Sequence, residues 1–322
     1  MPFGGNDWLD LVREPTLEPD IPICDPHHHF WDFRSQSVPY HTYLLHDLIG
    51  DIGSGHNIIS TVFVEARSMY RSGGPDHLKS VGEVEFVQGL AAASASGLYG
   101  PSKAAAAIVG HADLKLGTKV EEVLNLLISA SPNRFRGIRH NVTWSPAPEI
   151  ENRESPGLLG DTTFRSGARV LAKLGLTFDT MLFFPQLLEL ADFAKAIPDL
   201  KIILNHAGGV NRVGFYAGKK DEIIRTWEKG ISEVSSCPNV YLKLGGLGMP
   251  RWGFEWYKRD LPVSSDELAS SMAPFMNYCI EQFGPDRCMF ESNFPPDKVS
   301  YSYNIMYNAF KKLSKDYSVV ER

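Results

Sequence analysis

The run Asp25-Pro26-His27-His28-His29-Phe30-Trp31-Asp32 holds the residue types and spacing that could do chemistry. It follows Ile21-Pro22-Ile23-Cys24, a short apolar run of the kind that forms a buried strand. On a strand alternate side chains share a face, so Asp25, His27 and His29 point one way and His28 the other. Two imidazoles about 7 Å apart on one face can reach a single metal ion from the same side. Packing or surface histidines are the plainer alternative. The position at the end of the first buried strand, with aromatics directly after it, favours the metal.

Such a pair needs a scaffold, and the rest of the chain reads as one. Further apolar, β-rich runs lie at 58–66, 105–112, 135–142, 177–182, 201–209, 240–246 and 288–295. Helical spacing appears between them at 80–95, 119–130, 165–174, 185–196, 221–235, 265–283 and 301–314. Polar groups fall at the C-terminal end of nearly every strand: His27 and His29, Glu65, His111, Arg139, Asp179, His206, Lys243 and Asn293. A closed (β/α)₈ TIM barrel gathers these at one mouth, whereas an open doubly wound sheet spreads them along an edge. The sequence therefore predicts a single α/β barrel domain over 21–322, preceded by a polar arm at 1–20. Long loops at 30–57, 144–163 and 248–263 are expected over the C-terminal face.

In the fourth strand Arg136 and Arg139 differ by an odd number, so only one can face the barrel. Arg139, the later one, is expected inside, with Arg136 toward the helix layer or paired with an acid. Arg139, Arg212 after the Gly208-Gly209 turn, and Lys243 would put positive charge at the mouth, with Glu65 beside them. Arginine suits a two-point grip on a carboxylate, so an anionic small-molecule substrate is expected. Trp31, Tyr40, Tyr43, Trp252, Trp256 and Tyr257 could wall a cyclic substrate or form an interface between copies in a homo-oligomer.

Bulk properties narrow the class. The chain has 322 residues, 43% hydrophobic and 22% charged, which suits a soluble globular protein with a full core. A net charge of −6 without a basic tract argues against nucleic acid or an anionic membrane as partner. The four cysteines lack C-x-x-C spacing and read as reduced core residues of a cytoplasmic protein. The first residues, MPFGGNDWLDLVREP, carry no signal-peptide pattern, and no apolar run approaches a membrane span.

With these residues in view, the chain resembles the amidohydrolase superfamily, in its branch of barrel lactonases and pyrone dicarboxylate hydrolases, with aromatic-acid decarboxylases close by. The resemblance rests on Asp-x-His-x-His at 25–29, Val-Glu-Ala at 64–66 and Gly-Ile-Arg at 137–139. To these it adds Asn-His-Ala-Gly at 205–208, Lys-Leu-Gly-Gly-Leu at 243–247 and Met-Phe-Glu-Ser-Asn-Phe-Pro at 289–295. It implies that His27 and His29 are a metal pair and that His206 adds an imidazole or polarises a carbonyl. It further implies that Arg139 contacts a substrate acid. One position departs: Asn293 stands where the family's eighth-strand aspartate binds metal and takes a proton from water.

Those roles define an expected reaction. Three imidazoles, His27, His29 and His206, with an open fourth position would suit a divalent ion, zinc foremost. The reaction would open a cyclic ester of a carboxylated small molecule in a catabolic pathway. An amide does not titrate, so Asn293 could only position water or substrate. Asp297, just past the strand, is the expected base, with Glu291 and Glu65 as alternatives and a helix cap as the plainer role for Asp297. Loss of the family aspartate also fits a decarboxylase, a site without metal, or a barrel that binds without turnover.

Overall fold

The structure, a computed structural model, describes residues 5–34, 40–147, 150 and 152–322. Eight strands, β1 Pro22–His28, β2 Asn57–Val64, β3 Lys103–Gly110, β4 Phe135–Asn141, β5 Thr177–Met181, β6 Ile202–Leu204, β7 Val240–Leu244 and β8 Cys288–Phe290, pair in parallel in sequence order. Just beyond β8 the sheet returns to its start. Asn293 N donates to His27 O at 2.8 Å and His29 N donates to Phe294 O at 2.8 Å. Those bonds make a (β/α)₈ barrel of what would otherwise be an open sheet.

Each strand is followed by a helix: α1 Leu45–Ile52, α2 Val81–Ala95, α3 Val120–Ala130, α4 Thr162–Lys173, α5 Leu187–Ala196, α6 Lys220–Ser235, α7 Ser265–Phe283 and α8 Tyr303–Leu313. Seven of these lie where helical spacing predicts them. The eighth, α1, falls inside the stretch expected to be loop, and Leu45, Leu48 and Ile52 are its buried stripe. Short polar caps start several helices: Asp161 accepts from Phe164 N at 2.7 Å to begin α4, and Ser302 caps α8. Asp297 lies before that cap and is not the N-cap of the last helix.

Packing between barrel and helices is apolar and close. The rings of Phe164 on α4, Phe178 on β5 and Phe193 on α5 are all buried, with centroids 5.4–6.1 Å apart. Burying a phenylalanine side chain stabilises by about 1.5–3 kcal/mol. On β4 the alternation holds: Arg139 is buried and Arg136 is exposed. The helix-layer packing or acid partner expected for Arg136 is not what it has: it is exposed and donates to Phe135 O and Asn133 O at the start of its own strand.

Residues 201–209 do not form one long strand. After Leu204 the backbone turns left-handed, with φ of 57° at His206, 48° at Ala207, 77° at Gly208 and 67° at Gly209. Asn293 past β8 is also left-handed, at 51°. Non-glycine residues rarely adopt this region, and such outliers gather at functional sites. Here they end the strands early and swing the side chains of His206 and Asn293 over the mouth. The arm also packs: Trp8 Nε1 donates to Arg259 O at 3.1 Å, and Lys311 on α8 donates to Leu17 O and Glu18 O. Parts of the expected loops and arm, at 1–4, 35–39, 148–149 and 151, lie outside the described residues. Among the described residues no helix is long and apolar enough to cross a membrane.

A Cβ on Gly209 would stand 1.8 Å from Leu182 O at a positive φ. Gly209→Ala is therefore expected to lower stability by about 2 kcal/mol or more. Urea denaturation midpoints check this, and an unchanged midpoint contradicts the assigned turn.

Candidate active site at the strand ends

Three histidines from opposite ends of the sequence meet at the mouth. His27 lies with its ring centroid 4.9 Å from that of His29 and 4.9 Å from that of His206. His28, facing outward, bonds Thr61 and packs against Phe30 and Phe63 in the helix layer. All three mouth histidines are buried. Burial first, then the neighbouring cations Lys243 and Arg139 at His27, and Arg251 and Arg139 at His206, hold these imidazoles well below their usual range. His29 is lowered by burial and then by Arg139. They are neutral at physiological pH.

Glu291 organises two of them. Its Oε2 lies 2.5 Å from His27 Nδ1, and its Oε1 accepts from His206 N at 2.9 Å and lies 2.7 Å from His206 Nδ1. Burial pushes Glu291 up to about 7 against the pull of Lys243 and the His206 N–H. His29 Nδ1 donates to Val64 O at 2.8 Å. A carbonyl oxygen only accepts, so the proton is on Nδ1. With Nδ1–H committed in each ring, each Nε2 is a lone pair. That tautomer is the one metal-ligating histidines carry, with an acceptor behind Nδ1 fixing the ring.

His29 Nε2 lies 3.3 Å from Asn293 Oδ1, and both atoms are acceptors. A cation between them satisfies both. Without one, the amide must turn over so that Nδ2 faces the imidazole. Among the described residues, His27, His206 and Glu291 are the group whose possible ligand atoms all lie within 4.8 Å of one another. His29 stands outside that group, beside His27. Arg139 Nη1 lies 3.2 Å from His27 Nε2 and shares its lone pair. Buried neutral imidazoles with unprotonated Nε2 atoms fit zinc in donor type.

The other expected site residues fall in two groups. Arg139 is anchored, donating from Nε to Glu65 Oε1 at 2.9 Å and from Nη2 to Glu65 O at 2.5 Å. Lys243 Nζ donates to Asp179 Oδ1 at 2.7 Å. Both cations are buried and neutralised by protein carboxylates. Arg212 is half-buried over the Phe254 ring, 5.3 Å from its centroid. Asp297 is buried behind Asn293. It accepts from Asn293 Nδ2 at 2.8 Å, Tyr301 Oη at 2.6 Å and Gly248 N at 3.1 Å. Burial pushes its carboxyl up to about 7, against these three donors.

Of the expected aromatic wall, Trp31 stacks on His29, with centroids 5.9 Å apart. Trp252, Phe254 and Trp256 form an internal stack against α7, the last two 4.3 Å apart and nearly parallel. Trp31, Tyr43, Trp252 and Trp256 are buried, which leaves them no surface for an interface between copies. Sequence reasoning weighed Glu291 only as a base and did not single out Arg251. The signal for Glu291 was its two-residue spacing from Asn293 on one strand face. A cavity of about 570 Å³ lies elsewhere, between the arm, α1 and the start of α8.

Comparison with known proteins bears on this site. A family model described as amidohydrolase matches residues 24–321. The y4mH protein of Sinorhizobium fredii is 30% identical over 94% of this chain and 95% of its own. An L-fucono-1,5-lactonase of Burkholderia multivorans is 23% identical over 87% of this chain and 84% of its own. A crystal structure of a Burkholderia multivorans amidohydrolase with bound zinc superposes with a TM-score of 0.70 at 23% identity, covering 93% of this chain and 94% of that one.

Two expectations follow from the geometry. Glu291→Gln replaces one acceptor oxygen with an N–H donor, so it cannot accept from both Nδ1–H groups. One imidazole must change tautomer, which nitrogen chemical shifts of His27 and His206 will report, with a stability loss of about 1–3 kcal/mol. Retention of both tautomers overturns the shared-acceptor assignment. In the first turn of α2, Glu83 accepts from Ala66 N and Ser68 N, and burial followed by Glu65 pushes it up to about 8. Folding therefore favours its protonated form, a contribution present at low pH and lost as pH rises from about 4.5 to about 8. Glu83→Gln should flatten that loss, by up to about 1.4 kcal/mol per pH unit, in denaturation midpoints taken across this window.

Proposed function

The chain belongs to the amidohydrolase family and is a hydrolase, and from that premise we propose that it opens the ring of a hydroxy-acid lactone at the histidine cluster. The observation carrying this reading is the Glu291 carboxylate holding His27 and His206 through Nδ1, which leaves Nε2 of each as a lone pair at the mouth. The relative named as an L-fucono-1,5-lactonase supports a sugar-acid lactone as the substrate class.

Lactone hydrolysis needs a water stripped of a proton, a polarised carbonyl and a proton for the departing ring oxygen. We assign the water's proton to His206 Nε2 and not to Asp297. The Asp297 oxygens are taken up by Asn293, Tyr301 and Gly248, whereas His206 is bonded through Nδ1 and its Nε2 carries no hydrogen bond among the described residues. Glu291 then stabilises the imidazolium that forms, as a buried carboxylate behind a histidine does in hydrolytic triads. His206 returns the proton to the ring oxygen, which leaves as an alcohol, while the acyl carbon keeps the water oxygen as a carboxylic acid that gives its remaining proton to solvent. Asn293 holds the water or the carbonyl by hydrogen bonds, and Asp297 positions Asn293 from behind. Arg139, fixed by Glu65, offers N–H groups beside His27 to the developing oxyanion.

A divalent ion would be held by His27 and His29, with Asn293 Oδ1 beside His29, which leaves His206 Nε2 for the water's proton. When bound it supplies Lewis acidity and lowers the pKa of a coordinated water toward about 7.

Purified protein tested against sugar-acid lactones and carboxylated aromatics, with acid and CO₂ followed separately, tests the reaction. Acid release from lactones is expected, and His206→Asn should reduce kcat by about 10²–10⁴-fold. CO₂ release from an aromatic acid without lactone opening would replace the hydrolase with a decarboxylase, the reading that Asn293 in place of a carboxylate favours. Metal analysis should find a near-stoichiometric divalent ion that His27→Ala loses. Full activity with no bound metal removes the metal from the scheme.

A further inference from the structure

We propose that Arg251 is the anion-binding residue of this site, taking a carboxylate of the bound ligand on its guanidinium fork. The inference rests on the histidine cluster being the active site and adds the chemistry of what enters it.

Arg251 lies in the turn Pro250–Trp252 on the loop that follows β7. Both of its flanks are fixed. Trp252 is buried with its ring 5.1 Å from that of Phe275, and Arg251 O accepts from Arg212 N at 2.9 Å. The side chain itself is held by almost nothing. Nε and Nη2 are enclosed and, among the described residues, without a hydrogen-bond partner. Nη1 reaches only the thioether of Met181, at 3.9 Å, a weak acceptor. Two guanidinium nitrogens enclosed without an acceptor are costly on a half-buried side chain, and such a group persists where something else completes it.

The carboxylates around it are committed. Glu291 uses both oxygens on the imidazoles, Asp297 accepts from three donors, Asp179 holds Lys243, and Glu65 holds Arg139. Arg251 nevertheless sits in the field of these groups. Its Nη1 meets Met181 at the end of β5, which places the guanidinium at the mouth, and there its charge, after burial, lowers His206. Its positive charge thus adjoins the reacting centre with no protein counter-ion hydrogen-bonded to it. Arg139 and Lys243, the cations that sequence reasoning assigned to an anionic substrate, are already neutralised.

On the far side of the cluster, Glu65 Oε2 is a buried acceptor with no donor. A ligand with a carboxylate for Arg251 and a hydroxyl for Glu65 Oε2 is a hydroxy acid. Two sources could supply the carboxylate: a free acid group already on the lactone, or the acid that ring opening releases. An arginine fork would bind either in two parallel N–H···O bonds.

Calorimetry with gluconate and glucarate against neutral sorbitol, together with a wider set of aldonates and their alditols, tests the anchor. The wild-type protein should prefer a hydroxy-acid anion over its neutral counterpart by about tenfold or more, as one charge-assisted contact provides. Arg251→Gln should abolish that preference and leave neutral binding unchanged, while Arg251→Lys should restore part of it. Removal of a buried, unpaired charge should also leave the melting temperature of Arg251→Gln equal or higher. Kinetics then separate the sources. A raised KM only for carboxylate-bearing lactones such as glucarolactone assigns the substrate's own acid, whereas weakened product inhibition with neutral lactones assigns the released one. Anion affinity unchanged in Arg251→Gln, a wild-type protein that binds no hydroxy-acid anion, or a variant whose melting falls sharply overturns the proposal. Anion binding that depends on Arg251, in a protein that opens no lactone, would sink the assigned reaction and leave the anchor standing.

Discussion

One buried carboxylate, Glu291, holds the arrangement together. It sits just past β8 and reaches His27 at the end of β1 and His206 beyond β6, joining three parts of the wall through two imidazoles and a backbone N–H. In a low-dielectric interior each of these bonds is stronger than it would be in water, and leaving any of them unmade costs more. The carboxylate therefore fixes two ring orientations at once, and with them the direction of two lone pairs. The same segment closes the sheet, since Asn293 N and Phe294 O bond the backbone of His27 and His29. Closure of the barrel and orientation of the site are one structural event.

Around that centre, charge is arranged so that the histidines stay neutral. Glu65 with Arg139 and Asp179 with Lys243 form two buried pairs flanking the cluster. Paired buried charges contribute little net stability, but losing one partner leaves the other stranded. Burial first, then the cations Lys243 and Arg139 at His27 and Arg251, Arg139 and Lys243 at His206, keep these imidazoles unprotonated. A neutral imidazole can take a proton from water or bind a cation; an imidazolium can do neither. Left-handed backbone at His206, Ala207 and Asn293 is the conformational strain that this arrangement requires, and the closed barrel holds those residues in place.

Much of this was legible in the chain. Strand and helix periodicities placed the eight strands and seven of their eight helices, because parallel strands buried on both faces must be apolar and their helices must carry an apolar stripe. Alternation correctly separated Arg136 from Arg139. Helix α1 was lost in an aromatic-rich stretch whose composition resembled a loop, although Leu45, Leu48 and Ile52 have helical spacing. The early breaks in the strands at 201–209 and 288–295 were not visible, since left-handed backbone at a histidine or an asparagine has no reliable sequence signature.

The sequence by itself determined the barrel, the order of its strands and the set of polar groups at their C-terminal ends, because periodicity of side-chain burial is a local property that the chain carries with it. Only the tertiary structure decided which of those groups face one another. Hydrogen-bond partnership is set by distances between residues hundreds of positions apart. Glu291 became the shared acceptor, Asp297 the support behind Asn293, and Arg139 and Lys243 paired cations, while Arg251 was left without a partner. No spacing along the chain encodes that last fact, since it depends on where every other carboxylate had already gone.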